Sequence, residues 1–184
     1  MNPDGLVRRA LASLLRRIRW IGVEIHPFLV VREGAGSTFG FPGSDRFVSG
    51  FIEPDDVAQI ARLDPYLDEA ECEERLREGK LCYAVKDGSM IVALMWCDLR
   101  AFNFPPHYRR LQDDEAYLFG AMTDPAFRGQ NLAPLMRSRC YDALHEIGRD
   151  TFWSYTDFFN SPARRFKEKL SARNEMLRVH VALY

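Results

Sequence analysis

The chain has 184 residues, 47% hydrophobic and 28% charged, a size and balance that suit one globular domain with a proper core. A net charge of −1 excludes a general nucleic-acid binder, because phosphate neutralisation needs clustered, uncompensated cations. No apolar run approaches the ~20 residues that span a bilayer, and Cys72, Cys82, Cys97 and Cys140 form no CxxC pair and no Cys/His cluster with zinc spacing, so the expectation is a cytoplasmic protein with reduced thiols and no metal.

Leu6 to Ile18 set Val7, Leu11, Leu14, Leu15 and Ile18 on one helical face, with Arg8, Arg9, Arg16, Arg17 and Arg19 around the other. Arginines interrupt the apolar stretch and no small-residue cleavage site follows, which excludes a signal peptide. The preferred reading is an amphipathic helix that packs on its own domain or on a second subunit, as in a homodimer. The alternative is contact with an anionic membrane surface through residues 6–19.

Gly22 to Val31 reads as a strand whose first half Pro27 demotes to an edge or a bend. Residues 34–46 are rich in glycine, with Pro42, and read as a linker. Residues 1–46 then form an N-terminal helix, strand and linker packed on or beside a main domain, residues 47–184. Phe47 to Ile52 reads as a strand, and Glu53-Pro54-Asp55-Asp56 opens a helix Asp56–Leu63, followed by another, Glu69–Glu78. Residues 53–78 hold ten acidic against three basic residues, which on its own reads as a solvated helical face. Leu81–Val85 and Ile91–Cys97 read as strands joined by the Asp87-Gly88 turn. Residues 103–114 read as a loop.

Tyr117 to Met122 reads as a strand that meets a turn at Asp124-Pro125, and Arg128-Gly129-Gln130-Asn131 then opens into a helix from Leu132 to Ile147. Such a loop stacks unpaired backbone N–H groups on the positive end of the helix dipole, with a guanidinium beside them. It is either a pocket for a phosphate or pyrophosphate, or a surface strand–turn–helix with a solvated arginine. Thr151–Tyr155, a helix Pro162–Lys169 and a strand Met176–Leu183 complete the order. The sequence of elements reads as mixed α/β with one parallel strand pair across the long helix.

Arg128-Gly129-Gln130-Asn131-Leu132-Ala133 resembles the acyl-CoA pyrophosphate loop of the GNAT superfamily of N-acyltransferases: Gln or Arg, two residues, Gly, one residue, Gly or Ala. Thr123-Asp124-Pro125 stands where that family ends its fourth strand. Asn160, Ala163, Phe166, Lys169 and Leu170 resemble its second signature, Asn-x-x-Ala-x-x-Phe-Tyr-x-Lys-Leu-Gly-Phe. Asn131 replaces the inner Gly, Lys167 the Tyr, and Ser171-Ala172 the Gly-Phe. The resemblance covers roughly residues 50–184. It implies a central mixed, mostly antiparallel sheet flanked by helices, here with an extra N-terminal amphipathic helix. It also implies transfer of an acetyl or other short acyl group from acyl-CoA to an amine of a small molecule or peptide. The alternative is a catalytically weak acyl-CoA-binding domain used for sensing or assembly.

The same resemblance assigns the pantetheine arm to the backbone of Ala121, Met122 and Thr123. It assigns the pyrophosphate to Arg128, Gly129, Gln130, Asn131, Leu132 and Ala133, with Asn160 and Phe166 beside the coenzyme. Asn131 tolerates a positive φ, should the loop need one there. Asn160 serves equally as a cap for the following helix. The family's usual proton donor is the Tyr that Lys167 replaces. Either Lys167 substitutes, or a phenol such as Tyr155 or Tyr184 does, or the thiolate leaves without help; a solvated helix lysine is the preferred reading of Lys167 itself. Tyr117 stands where some relatives carry a base, with Asp114, Glu115 and Asp157 as candidates near strand ends. Trp153, Tyr155, Phe158 and Phe159 read as core or as an apolar acceptor wall. The acidic pair of helices would border the acceptor site, where its charge attracts a cationic amine.

Overall fold

The computed structural model describes residues 3–34, 39–104 and 107–184, with side chains from residue 10 onward. Five helices and nine strands are assigned among them: α1 (Pro3–Ile18), β1 (Val23–Glu33), β2 (Phe47–Phe51), α2 (Val57–Leu63), α3 (Glu69–Arg77), β3 (Leu81–Asp87), β4 (Met90–Asp98), β5 (Ala101–Phe104), β6 (His107–Arg110), β7 (Glu115–Thr123), α4 (Leu132–His145), β8 (Thr151–Asp157), α5 (Ser161–Lys169) and β9 (Arg173–Leu183). Local chemistry sets several boundaries. Asp68 and Glu71 close a reciprocal capping box at the start of α3. Gly88, at φ 61°, turns the β3–β4 hairpin. Asn160 caps α5 by accepting from the Ala163 N–H at 3.1 Å.

Seven strands form one sheet in the order β2-β3-β4-β7-β8-β1-β9. All neighbours are antiparallel except β7 and β8, which run parallel on either side of the α4 crossover. The continuous apolar run of β4 is buried on both faces, as a central strand requires. On one face Val85, Met95, Cys97, Ala116 and Leu118 pack against Leu132, Leu135, Met136, Cys140 and Leu144 of α4. On the other, Cys82, Ala84, Leu94 and Trp96 pack against Val57, Ile60 and Leu63 of α2 and Cys72 of α3. The alternation follows from the two-residue period of a strand. All four cysteines are free and buried. No helix among the described residues is long and apolar enough to cross a membrane.

Two expectations change. Residues 101–104 and 107–110 pair as strands β5 and β6 rather than forming a loop, from Ala101↔Arg110 to Phe104↔His107, with Pro105 and Pro106 outside the described residues. The Pro105-Pro106 pair marks a loop locally, but Phe102 and Phe104 anchor the flanking strands on Tyr117, Phe119 and Trp153, and tertiary packing decides a short strand. Residues 23–33 do not lie beside the sheet: β1 is an inner strand between β8 and β9. Pro27 fits because β8 pairing begins only at Phe28: Val23 to His26 pair with β9 alone, and the Pro27 carbonyl accepts from the Phe158 N–H just past the end of β8 at 3.0 Å, where no proline N–H is needed. On α1, Leu11 and Leu14 are 37% and 53% exposed, so the chain itself leaves much of that apolar stripe uncovered.

Candidate coenzyme cleft and catalytic face

β7 and β8 pair through three positions, Glu115↔Thr151, Ala116↔Phe152 and Tyr117↔Trp153, and then part. The cause lies in β7. Its register against β4 shifts between Leu94 and Trp96, and Gly120 there has φ +59°. A Cβ on Gly120 would stand 3.0 Å from Trp96 Cδ1, so the bend needs both the conformation and the space that glycine provides. A cleft of about 610 Å³ opens beyond the parting strands. Ala121, Met122 and Thr123 form one wall, the start of α4 its floor, and α5 the opposite wall.

The loop into α4 is built to leave amides free. Arg128 is extended, Gly129 has φ 79° with open space where a Cβ would sit, and Asn131 has φ 60°. The positive φ at Asn131 is the circumstance in which asparagine is a workable substitute for glycine. The first-turn N–H groups of a helix have no intrahelical acceptor, so those of Leu132 and Ala133 face the cleft mouth with the positive end of the dipole. Pro134, without an N–H, costs nothing there. Arg128 is braced by a bond from Nε to the Thr123 carbonyl, 3.2 Å, and Lys169 Nζ donates to Asn131 Oδ1 at 2.6 Å. Arg128, Arg165 and Lys169 line the cleft, and among the described residues no acidic side chain does. Exposed amides, three cations and an apolar interior of Phe127, Leu132 and Phe166 fit a diphosphate joined to a thinner, less polar arm.

Ala121, Met122, Thr123, Arg128, Gly129, Asn131, Leu132, Ala133, Asn160 and Phe166 all line this one cleft. Gln130 does not; its side-chain amide turns back to the Ala126 carbonyl at 3.3 Å. Arg165 is a lining residue that motif matching overlooks, and Lys169, matched in the second signature, is given no binding role there. Their signal was present, since Pro162, Arg165, Phe166 and Lys169 follow the i, i+3, i+4, i+7 spacing of one helical face.

Of the three candidate catalytic side chains, Tyr117 and Tyr155 stack with ring centroids 6.4 Å apart, whereas Lys167 lies on the other face of β8, against Ser154 and Thr156. Lys167 is not a solvated helix lysine. It is 5% exposed, points away from the cleft, and donates to Ser154 Oγ at 2.7 Å, to the Tyr155 carbonyl at 3.1 Å and to Thr156. It belongs to a buried charge cluster in which Glu33 of β1 faces Arg137 of α4 and Lys167 of α5, each at 3.4 Å, with Tyr141 and Ser154 also donating to the carboxylate. Burial pushes the Glu33 carboxyl up, but the Arg137 and Lys167 charges and these hydroxyls outweigh it and hold it at about 2. Burial pushes the Lys167 ammonium down to about 8, against the pull of Glu33. The sequence reading missed this cluster because Glu33 and Arg137 lie far apart in the chain.

Tyr117 is 2% exposed, stacked on Phe119 at 5.1 Å and packed on Phe102 at 4.6 Å. Burial drives its phenol well above the usual range, which rules out a base near neutral pH. Tyr184 is bonded to Glu24 at the distant end of β9. Glu115 is held by Arg109 at 2.6 Å, the Trp153 indole at 2.7 Å and the Gln112 N–H at 2.8 Å. Those bonds make it a structural clasp. Asp157 accepts from the Phe159 N–H at 2.7 Å within a turn. Tyr155 differs from all of these. It stands on β8 two residues beyond the last β7–β8 pair, partly open, with its ring 3.8 Å from Phe104 and its phenol held protonated by burial. Trp153 and Tyr155 lie toward the hairpin, whereas Phe158 and Phe159 pack on each other at 5.4 Å.

No protein-family model matches this chain, and no curated protein matches it by sequence. Its architecture is nevertheless shared. A GNAT-family protein from Novosphingobium aromaticivorans superposes with a TM-score of 0.61 at 18% identity, over 88% of this chain and 66% of its own. A GNAT-family acetyltransferase from Colwellia psychrerythraea gives 0.64 at 12% identity, over 88% and 57%. A protein from Salmonella typhimurium, solved with its cofactor acetyl-CoA, gives 0.53 at 15%, over 68% and 78%. The chain has the fold of the GNAT acetyltransferases. It spans just under two thirds of the length of the first of these proteins, and less of the second.

Proposed function

We propose that the protein is an acyl-CoA-dependent N-acyltransferase, moving an acetyl or similarly short acyl group to an amine. The observation that carries the reading is the cationic, acid-free cleft where β7 leaves β8, with the α4 amides at its mouth. When bound, acyl-CoA supplies an activated thioester carbonyl. The chain's own part is binding and alignment. Arg128, Arg165, Lys169 and the Leu132 and Ala133 amides hold the diphosphate, and the open edge of Ala121 to Thr123 pairs with the pantetheine arm. An edge N–H there donates to the carbonyl oxygen as it gains charge, worth several kcal/mol when preorganised. The acceptor nitrogen bonds to the acyl carbon, the carbon–sulfur bond breaks, and the nitrogen releases a proton to solvent. Our candidate to return a proton to sulfur is Tyr155, whose phenol burial keeps protonated and which lies on the face of β8 away from Ser154, Thr156 and α5.

The acceptor reading is a cationic amine drawn by α2 and α3. Six of the ten acids from 53 to 78 are already bonded within the fold, namely Asp56, Asp64, Asp68, Glu71, Glu74 and Glu78, so the attraction rests on the remaining four. The second reading, a coenzyme-binding domain with little turnover, is favoured by the loss of the family tyrosine to a buried lysine. A thermal-shift series with acetyl-CoA, longer acyl-CoAs and free coenzyme A tests binding. At about a hundredfold excess over Kd, stabilisation is ~2.7 kcal/mol, or a rise of ~5–10 °C for a domain of this size. A thiol-release assay over a panel of amines then separates enzyme from binder. No shift with any of these ligands refutes both readings.

A further inference from the structure

At the closed end of the β7–β8 pair, opposite the coenzyme cleft, three turns meet: β4–β5, β6–β7 and α4–β8. Arg100, Arg110 and Arg149 from these segments line a single cavity of about 480 Å³. Two of them are oriented by backbone carbonyls. Arg100 Nη1 donates to the Glu78 carbonyl at 3.2 Å, and Arg149 Nη1 to the carbonyls of Gln112, 3.2 Å, and Glu115, 3.1 Å. A neutral carbonyl fixes a guanidinium without cancelling its charge. Among the described residues, none of these three arginines is ion-paired, whereas neighbouring Arg109 is bound to Glu115. Among the described residues, Asp113 is the one acid on the cavity wall. Gly79, at φ +81°, lies beneath the exposed Arg100 side chain, where a Cβ would stand 3.0 Å from Nη2.

We propose that this cavity is a second ligand site, for a small phosphate monoester with an apolar or aromatic body. A dianionic tetrahedral group offers three oxygens to three guanidiniums arriving from different segments, and Arg forks match phosphate geometry. A carboxylate offers two oxygens and half the charge. The volume is within the ~300–1,000 Å³ of small-molecule sites and exceeds what a bare phosphate fills. Leu99 and Leu111 supply apolar wall, and Tyr108, 71% exposed at the rim, presents a ring for stacking.

Calorimetric titration of the full chain with phenyl phosphate, inorganic phosphate and benzoate tests this. Phenyl phosphate should bind saturably, about tenfold tighter than either of the others. Arg110→Ala should weaken it about tenfold and Arg110→Glu should abolish it; the exposed Arg110 side chain makes both variants compatible with folding, which circular dichroism checks. Arg100→Gln provides the same test from another segment. Arg128→Ala, in the coenzyme cleft, should leave phenyl phosphate binding unchanged, so the outcome is independent of the acyltransferase reading. Absence of saturable binding, equal affinity for benzoate, loss of binding in Arg128→Ala, or indifference to both Arg110→Glu and Arg100→Gln overturns the site.

Discussion

Glu33→Gln removes the single anion that faces two buried cations, Arg137 and Lys167, while keeping the shape of the side chain. Breaking a buried pair from one side costs about 3–5 kcal/mol, because the remaining charges stay desolvated and unpaired. Among the described residues Arg137 Nε and Nη1 already lack hydrogen-bond partners, so little local compensation is at hand. Against a total stability of about 5–15 kcal/mol the loss is large. For a domain of 150–250 residues it lowers Tm by roughly 6–20 °C. Thermal unfolding at neutral pH, followed by circular dichroism, measures it directly. Adding Lys167→Met to Glu33→Gln removes one stranded cation and should recover part of the loss, so the double-mutant cycle should show coupling of ~1 kcal/mol or more. A Glu33→Gln protein within ~1 kcal/mol of wild type, with additive double-mutant behaviour, would falsify the claim that this cluster holds β1, α4 and α5 together.

The same cluster sets a pH signature. Lys167 releases its proton at about 8 in the folded chain against 10.5 ordinarily, so between those values the unfolded chain binds more protons and stability rises with pH by up to ~3 kcal/mol; Lys167→Met should lack that rise, and parallel stability–pH curves for the two proteins would contradict it. Glu33 acts at the other end: its stabilisation is complete above 4.5 and is lost as pH falls toward about 2. Gly120→Ala forces a side chain into φ +59° and toward Trp96, which should cost roughly 1–3 kcal/mol and weaken coenzyme binding; an unaltered Tm would mean the β7 bend is not strained. Arg128→Ala should raise the Kd for coenzyme A about tenfold with no loss of Tm, and calorimetry showing equal affinity removes the loop assignment. Tyr155→Phe should lower kcat for thiol release with little change in KM for acyl-CoA; an unchanged kcat excludes it as the proton donor.

Elements governed by local chemistry were legible in the chain. The Asp87-Gly88 turn, the unbroken apolar run of β4 and the Pro-Ala-Phe-Arg-Gly loop into α4 each carry their structure in adjacent residues. So was most of the cleft, because its lining residues fall mainly in two motifs about 30 residues apart. What escaped depends on distant partners. Strands β5 and β6 exist because Phe102 and Phe104 find aromatic neighbours on β7 and β8. Lys167 has a surface spacing in sequence, but Glu33, Ser154 and Thr156 come from two other strands to enclose it. The place of β1 inside the sheet is equally non-local, since residues 23–33 must pass between two strands formed more than a hundred residues later.

The brevity of the parallel ladder has a mechanical meaning. Three residue pairs, about 10 Å of strand, form the seam between a four-strand plate, β2-β3-β4-β7, and a three-strand plate, β8-β1-β9. Glu115 rivets that seam, gripping Trp153 of the second plate by its carboxylate while its carbonyl takes Arg149. By geometry, any rotation about so short a joint at Glu115 would be magnified along the strand toward Thr123, where the cleft opens.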